Sequence, residues 1–311
     1  MLLLSDKSKQ FLSAGVKILI VGFAFYFIDQ RLAGNDWFFF KEKLHKNFTW
    51  ITAGLLLIMA FYNRFFEILK WQNLVSNFMH ISIPEATKQV LGAFTASIFT
   101  PNGIGEYGAK AMFFEKKYSR KVVFLNLLCN GIQMVITVIF GTAGLLYFNL
   151  KHNIVSTKII FIILVVAGLL VIAGFALRKF KVKGYSFQRV TEKIRDIPKR
   201  IHRKNFILAM CRYLIFSHQY YLILVIFNVD LPYWTVMATI CSVYFLSSSL
   251  PTFQFLDFAV KGSVAVYFFG LLGINEWIPI FATTLIWILN VVLPVAIGSY
   301  YVVTFKPPWK Q

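Results

Sequence analysis

The sequence predicts an all-α membrane protein, a polytopic helix bundle with about six full spans and two re-entrant helical hairpins. Of its 311 residues, 58% are hydrophobic and only 14% are charged. Several apolar runs approach the ~20 residues with which a helix crosses a bilayer. Two further apolar regions are each divided by a proline, Pro101 or Pro251, into arms too short to cross. We therefore expect residues 1–311 to form a single integral membrane domain.

The expected spans and hairpin arms follow directly from the apolar runs. The spans cover about residues 11–28, 49–69, 122–147, 159–177, 205–227 and 278–301, and the hairpin arms about 86–99 with 105–114 and 233–250 with 258–272. Lys7 and Lys9 precede the first run, and polar residues rather than a small-residue cleavage site follow it. This pattern favours an uncleaved span over a signal peptide.

The distribution of charge predicts the orientation. The chain has 32 Lys and Arg against 13 Asp and Glu, a formal net charge of +19. Because the basic residues gather between apolar runs, most densely over 178–204, we attribute them to positive-inside bias and anionic lipid rather than to nucleic acid. With 178–204 in the cytoplasm, counting the spans puts both termini there. The first hairpin then enters from the cytoplasm and the second from outside, which makes 48–150 and 205–303 inverted halves.

An acid and a lysine recur at matching positions after the two proline breaks. Glu106 and Lys110 follow the first break, Asp257 and Lys261 follow the second, and three residues separate each acid from its lysine. Charged side chains inside a bilayer cost about 2.5–3.5 kcal/mol, so they normally face protein or water. The recurrence supports the inverted repeat and makes these four residues candidates for a polar path.

The turn after the first break favours an anion. Gly103 and Gly105 let the backbone unwind and approach a ligand, and the N–H groups that begin the following arm attract a phosphate. Lys110 lies one helical turn after Glu106 and is a counter-ion either to that acid or to a lipid phosphate. An internal ion pair that merely makes insertion tolerable stays equally open. The G-x-G-x-x-G spacing over 103–108 lacks a βαβ context, so we do not interpret it as a dinucleotide site.

Further polar residues lie within the spans. Arg212 shares a helical face with Gln219 and is another candidate. Arg64 and Glu67, three residues apart near the end of a span, are expected to snorkel or to pair with each other. His218 is expected to be a hydrogen-bonded packing residue. The three cysteines have no metal-binding spacing, and we expect neither a metal site nor a cofactor.

Two motifs resemble the transmembrane region of lysylphosphatidylglycerol synthases, a flippase-like family of bacterial membrane proteins. They are Leu69-Lys70-Trp71-Gln72-Asn73-Leu74-Val75, at the expected interfacial end of the second span, and Thr100-Pro101-Asn102-Gly103-Ile104-Gly105-Glu106. The resemblance implies a place in the bacterial cytoplasmic membrane and the movement of an aminoacylated phospholipid. The family's separate synthase domain is not in this chain, so aminoacyl transfer is not implied. The family's second motif is glycine-rich, whereas Phe253, Gln254 and Phe255 occupy that turn here.

The leading hypothesis is a lipid flippase or translocase that moves a phospholipid, or a related lipid with an anionic head group. No ATP site is expected, so movement would be passive or ion-coupled. A membrane enzyme that modifies a lipid head group and a non-catalytic membrane assembly protein are the alternatives. Expected partners are membrane phospholipid, and a second copy of the chain or a separate lipid-synthesising enzyme. The candidate lipid-binding residues are Pro101, Gly103, Gly105, Glu106, Lys110, Arg212, Pro251, Asp257 and Lys261.

Overall fold

The computed structural model describes residues 36–153 and 185–306, together with residues 19, 26, 156, 158, 181 and 182. The expected spans over 11–28 and 159–177 therefore lie outside the described residues, apart from residues 19 and 26. The expected lysine-rich termini are outside them too, except for Lys306.

The described chain is helical apart from one pair of two-residue strands. Its helices are α1 (Asp36–Asn47), α2 (Trp50–Val75), α3 (Ile83–Ser97), α4 (Gly105–Ala111), α5 (Ser119–His152), α6 (Phe187–Arg195), α7 (Lys199–Ile226), α8 (Tyr233–Ser249), α9 (Asp257–Gly270), α10 (Trp277–Trp287) and α11 (Leu293–Val303). Short 3-10 turns at Lys116–Tyr118 and Gln254–Leu256 lead into α5 and α9, and a π turn at Ile288–Val292 joins α10 to α11. Strands β1 (Lys181–Val182) and β2 (Tyr185–Ser186) pair antiparallel.

Four stretches of the described chain are long and apolar enough to cross a membrane. They are Trp50–Val75, Lys116–His152, Lys199–Ile226 and Trp277–Val303. They coincide with the second, third, fifth and sixth expected spans, so the prediction of an all-helical, multi-pass membrane protein is confirmed at this level. One detail was wrong. The second span was expected to end at about residue 69, whereas α2 continues to Val75, and Lys70 and Trp71 are fully buried inside the protein.

Local sequence signals explain where several helices begin and end. Thr49 and Ser82 cap the starts of α2 and α3, and each forms a reciprocal pair of hydrogen bonds with the residue three positions later. Such capping boxes satisfy N–H groups that have no partner within the helix. Asn153 and Asn228 follow α5 and α7 with φ of 48° and 52°. Asparagine enters this left-handed region more easily than most residues, so both helices stop there.

The break in the last membrane-capable helix comes from Pro294. Proline has no N–H for the carbonyl four residues earlier, which is that of Asn290. That carbonyl accepts instead from the Arg64 guanidinium, with an Nη2 to O distance of 2.7 Å. The π turn at Ile288–Val292 therefore fastens α2 to the final helix.

The two proline breaks are in contact with each other. Pro101 and Phe253 pair as an isolated β-bridge. The Asn102 N–H donates to the Thr252 carbonyl over 3.0 Å, and the Thr252 N–H donates to Asn102 Oδ1 over 2.9 Å. Asn102 and Gly103 have φ of 48° and 66°, values that asparagine and glycine adopt most easily. The first break thus turns sharply enough to present its backbone to the second.

Outside the breaks, the two hairpins lie at opposite ends of α5. Near its start, Phe114, which follows α4, packs on Phe78 with ring centroids 5.8 Å apart, and Phe78 packs on Tyr118 at 5.2 Å. Near its end, Phe148 packs on Phe268 of α9 at 5.1 Å. A helix of this length is about 50 Å long. The open ends of the hairpins are therefore far apart, whereas their breaks meet between them.

The helix contacts of residues 50–152 recur among residues 199–303. Helices α2 and α7 pack on each other. Helix α3 packs on α11, and in the same way α8 packs on α5. Helix α4 packs on α5 and α9 packs on α10, while α2 packs on α3 and α7 packs on α8. Glycines allow the closest approaches. A Cβ at Gly144 of α5 would lie 2.5 Å from the Ala238 carbonyl of α8, and one at Gly298 of α11 would lie 2.5 Å from the Leu91 carbonyl of α3. Each of these two segments thus holds the helix that precedes the proline break in the other.

Candidate functional site

Lys110, in the second arm of the first hairpin, is fully enclosed by protein. Its Nζ lies 2.6 Å from Glu106 Oε1 and donates to Asn126 Oδ1 over 2.8 Å. The same ammonium sits 4.4 Å from the centre of the Trp71 ring, and the Trp71 N–H donates to Gln89 Oε1 over 2.7 Å. A buried ammonium is tolerated only when its protons have such partners. Trp71, from the motif at residues 69–75, therefore packs against both helices of the first hairpin.

The glycine-rich turn before this pair uses its N–H groups internally. The Gly105 N–H donates to Thr100 Oγ1 over 3.0 Å, and the Glu106 N–H donates to the Gly103 carbonyl over 3.0 Å. A Cβ at Gly105 would lie 2.7 Å from Thr100 Cγ2. Glycine is required there for the close approach of the threonine. A phosphate would have to displace these bonds in order to use the turn.

The matching pair in the second hairpin is more open. Asp257 and Lys261 form an ion pair, and their side chains are 21% and 32% exposed, against 14% for Glu106 and 0% for Lys110. The Tyr244 ring lies 6.0 Å from the Lys261 Nζ, at the outer limit of a cation–π contact. Unlike Lys110, Lys261 therefore has capacity for another partner.

Lys261 lines a cavity of about 60 Å³ between α7, α8, α9 and the last membrane-capable helix. One water needs roughly 10–15 Å³ of such space, so several small groups fit. The lining includes Tyr220, Tyr244, Lys261, Thr283, Trp287 and Asn290. The Trp287 Nε1 is buried and has no hydrogen-bond partner among the described residues.

A buried polar cluster lies where α2, α5 and α7 meet. The Arg212 guanidinium is 2.6 Å from Glu67 Oε2, and donates to Asn63 Oδ1 over 3.1 Å and to Gln133 Oε1 over 3.5 Å. The Lys70 Nζ donates to the same Gln133 oxygen over 3.4 Å. Burying these charges is tolerable because each has an opposite charge or a polar acceptor nearby.

Asn290 connects this polar cluster to the cavity. Its Oδ1 accepts from the Asn63 Nδ2, and its Nδ2 donates to Gln219 Oε1 over 2.8 Å. Gln219 is fully buried and donates in turn to the Leu56 carbonyl over 2.9 Å. Asn290 also lines the cavity, so the hydrogen-bonded chain that begins at Arg212 ends at the wall of the cavity that Lys261 lines.

The structure relates the sequence candidates in three groups. Pro101 and Gly103 lie at the contact between the breaks, close to Pro251 and Gln254. The two acid–lysine pairs flank that contact, and no hydrogen bond or ion pair joins one pair to the other in the described part of the chain. Arg212 lies in the polar cluster, on the same side of its helix as the predicted Gln219.

Sequence reasoning missed most of the polar cluster. The expectation that Glu67 pairs with Arg64 or snorkels was wrong, because Glu67 is buried and pairs with Arg212 on another helix. The available signal was the spacing of Asn63, Glu67 and Lys70, which places three polar residues on one face of an apolar helix.

The prediction that His218 is hydrogen-bonded is confirmed. Its Nε2 lies 2.9 Å from the Tyr233 hydroxyl and its Nδ1 lies 2.7 Å from the Leu214 carbonyl. It is separate from the polar cluster.

The chain matches no known family model, no curated protein and no solved structure.

Proposed function

We propose that this protein is a translocase that moves phospholipids, or related lipids with an anionic head group, across a bacterial cytoplasmic membrane. The observation that carries the proposal is the meeting of the two proline breaks, with an acid–lysine pair on either side and a buried polar cluster beside them. Broken helices that meet inside a bundle are the usual way in which transporters expose backbone and charge to a substrate. Polar groups inside apolar spans normally serve a substrate or an ion.

The proposal includes six spans and two re-entrant hairpins in inverted halves. In support, Lys193, from the basic segment expected in the cytoplasm, lies beside Arg120 and Lys121 at the open end of the first hairpin. The second hairpin opens at the other end of α5, where Phe148 packs on Phe268. The matched helix contacts of the two halves fit the same twofold arrangement.

Labelling of single cysteines tests this topology. In a variant in which the natural cysteines are replaced, cysteines introduced at Lys193 and at Glu276 are expected to react with a membrane-impermeant maleimide from opposite sides. Lys193 should be protected in intact cells and Glu276 should be labelled. Labelling of both positions from the same side would contradict the inverted halves.

The head group is proposed to interact with the cavity at Lys261. The Lys261 ammonium is a donor at this cavity, and charge-assisted bonds to phosphate oxygens are among the strongest hydrogen bonds in proteins. A cavity of about 60 Å³ holds part of a head group rather than a whole lipid. Passage therefore requires the two breaks to separate, with loss of the Asn102–Thr252 hydrogen bonds.

The motif resemblance to lysylphosphatidylglycerol synthases supports a lipid substrate. In this chain both motifs have structural roles around the first hairpin: Trp71 packs under Lys110, and Asn102 bonds to the second break. The glycine-poor second turn brings Gln254 against Gly103. The chemistry that remains for a ligand is therefore concentrated at Lys261.

The decisive experiment is a translocation assay in proteoliposomes with fluorescent head-group-labelled phosphatidylglycerol and phosphatidylcholine. Wild type is expected to move the anionic lipid, and Lys261→Met to reduce the rate about tenfold, since a hydrogen bond to a charged group contributes about 1.5–3 kcal/mol. Lys43→Met, which removes an exposed lysine of α1, is the matched control and should retain the wild-type rate.

Other outcomes of this assay separate the alternatives. A lipid recovered with an altered mass would indicate an enzyme that modifies head groups. No movement of any lipid by folded, correctly inserted protein would indicate an assembly role. Movement that is equal in wild type and Lys261→Met would remove Lys261 from the path.

A further inference from the structure

A groove between the start of α5 and α6 combines cationic and apolar surface. Two adjoining cavities, of about 470 and 420 Å³, share Arg120, Phe124 and Lys193 and form what we call the α5–α6 groove. One end is lined by Val123, Leu127 and other apolar side chains. The groove lies away from the polar cluster and from the Lys261 cavity, so neither of those sites explains it.

The other end of the groove is strongly basic. It brings together Lys117, Arg120, Lys121 and Lys193, with Asp196 as the acidic residue in the lining. Lys117 is paired with Glu115, whereas Arg120, Lys121 and Lys193 have no ion pair among the described residues. Lys193 and Lys121 lie over the Phe124 and Phe78 rings, at 5.8 and 4.9 Å from the ring centres. The aromatic rings hold these ammonium groups at the mouth of the groove.

The apolar end is open rather than covered. Val123 and Leu127 are 38% and 50% exposed, although they lie one turn apart on a helix that is long and apolar enough to cross a membrane. Such side chains face the acyl region in a bilayer, while the cations one to two turns earlier on α5 lie at head-group depth. The order of the two surfaces along α5 matches the order of head group and acyl chain in a lipid.

We propose that the α5–α6 groove is a binding site for an anionic phospholipid, with its phosphate at Arg120, Lys121 and Lys193 and an acyl chain along Val123, Phe124 and Leu127. Three cations from two segments that are distant in the sequence line the same cavity, which suits the negative charge of a phosphodiester. The apolar floor distinguishes this site from a simple basic surface. A bound lipid is distinct from a transported one, so this inference goes beyond the proposed function.

The test is a lipid titration of the full-length protein, measured by native mass spectrometry in detergent with dioleoylphosphatidylglycerol and dioleoylphosphatidylcholine. Wild type is expected to bind the anionic lipid more tightly. The triple variant Arg120→Gln, Lys121→Gln, Lys193→Gln is expected to lose about tenfold or more in affinity for it, because each basic group near such a surface contributes about 1 kcal/mol. The matched control replaces three lysines of α1 with glutamine: Lys41, Lys43 and Lys46.

Two further measurements test the proposal. Leu127→Asp should weaken the binding of both lipids, because it places a charge in the path of the acyl chain. Inorganic phosphate, added at the same concentration as the lipid, should displace neither lipid. Unchanged binding in the groove variant, or an equal loss in the α1 control, would overturn the site. Displacement by inorganic phosphate would overturn its lipid character. Binding is measured without translocation, so these results are independent of the translocation assay.

Discussion

The two hairpins carry the same acid–lysine pair after the same kind of break, but they surround it differently. In the first hairpin, Lys110 is enclosed by Glu106, Asn126 and the Trp71 ring. In the second, Lys261 has Asp257 as its close partner and lines a cavity. A charge that is fully enclosed is fixed by its partners, whereas a charge at a cavity remains available.

Residues at matching positions after two similar breaks can therefore have separate tasks. We propose that the first pair holds its hairpin in the bundle and that the second is available to a ligand. This division of tasks predicts different effects of substitutions at the two lysines.

The largest expected effect is on the stability of the first pair. Lys110→Met leaves Glu106 and Asn126 without their buried partner, and the loss of one member of a buried pair typically costs about 3–5 kcal/mol. Lys261→Met removes a partly exposed lysine, and such pairs contribute up to about 1 kcal/mol. We expect the first variant to unfold at clearly lower denaturant concentration than wild type, and the second to remain close to it.

The measurement is equilibrium unfolding of both variants in the same detergent, followed by circular dichroism. A double variant, Glu106→Leu with Lys110→Met, removes both charges and should recover part of the lost stability. If Lys261→Met were destabilised as much as Lys110→Met, the two pairs would have the same structural role and the division of tasks would fail.

Much of the architecture was predictable from the sequence, because it depends on long apolar runs and strong breaks. The membrane-capable helices follow from hydropathy, and the breaks follow from Pro101 and Pro251. The extension of α2 to Val75 was missed because Lys70 resembles the polar end of a span. Its burial is tolerable because it lies in the polar cluster with Glu67 and donates to Gln133 on α5.

The site was less predictable, because its essential contacts lie between distant helices. The sequence identified Arg212 as a candidate binding residue but not Glu67 or Asn290, because no local pattern indicates that these three residues come together. The acid–lysine pairs were visible because i, i+4 spacing is a local signal. Their difference in burial was not, because it depends on Trp71 and Asn126 from other helices.

The second effect concerns the packing of each half on the other. Gly144→Ala and Gly298→Ala each introduce a Cβ that would lie 2.5 Å from a backbone carbonyl of the opposite hairpin's first arm. Overpacking of this kind costs about 1–3 kcal/mol, and we expect similar losses in the two variants because the contacts correspond. Gly131→Ala is the control, since nothing lies within 4 Å of its added Cβ.

Equilibrium unfolding in detergent again provides the measurement, with the three variants compared side by side. Gly131→Ala should be neutral or slightly stabilising, because alanine favours a helix over glycine. A large loss at Gly144 together with wild-type stability at Gly298 would mean that the two halves do not pack in corresponding ways.

The smallest expected effect is at the contact between the breaks, and it is also the most local. Asn102→Gly keeps the positive φ available but removes the Oδ1 atom that accepts from the Thr252 N–H. The loss of one hydrogen bond costs about 0.5–1.5 kcal/mol, so hydrogen exchange of the Thr252 amide should accelerate about fivefold. Asn228→Gly makes the same substitution at a positive φ outside the breaks and should leave the exchange rate of the Thr252 amide unchanged.

If the Thr252 amide stayed fully protected in Asn102→Gly, the Asn102 side chain would not join the breaks. The joint would then rest on the Pro101–Phe253 bridge and the Asn102 N–H alone, and separation of the two hairpins would have to begin there.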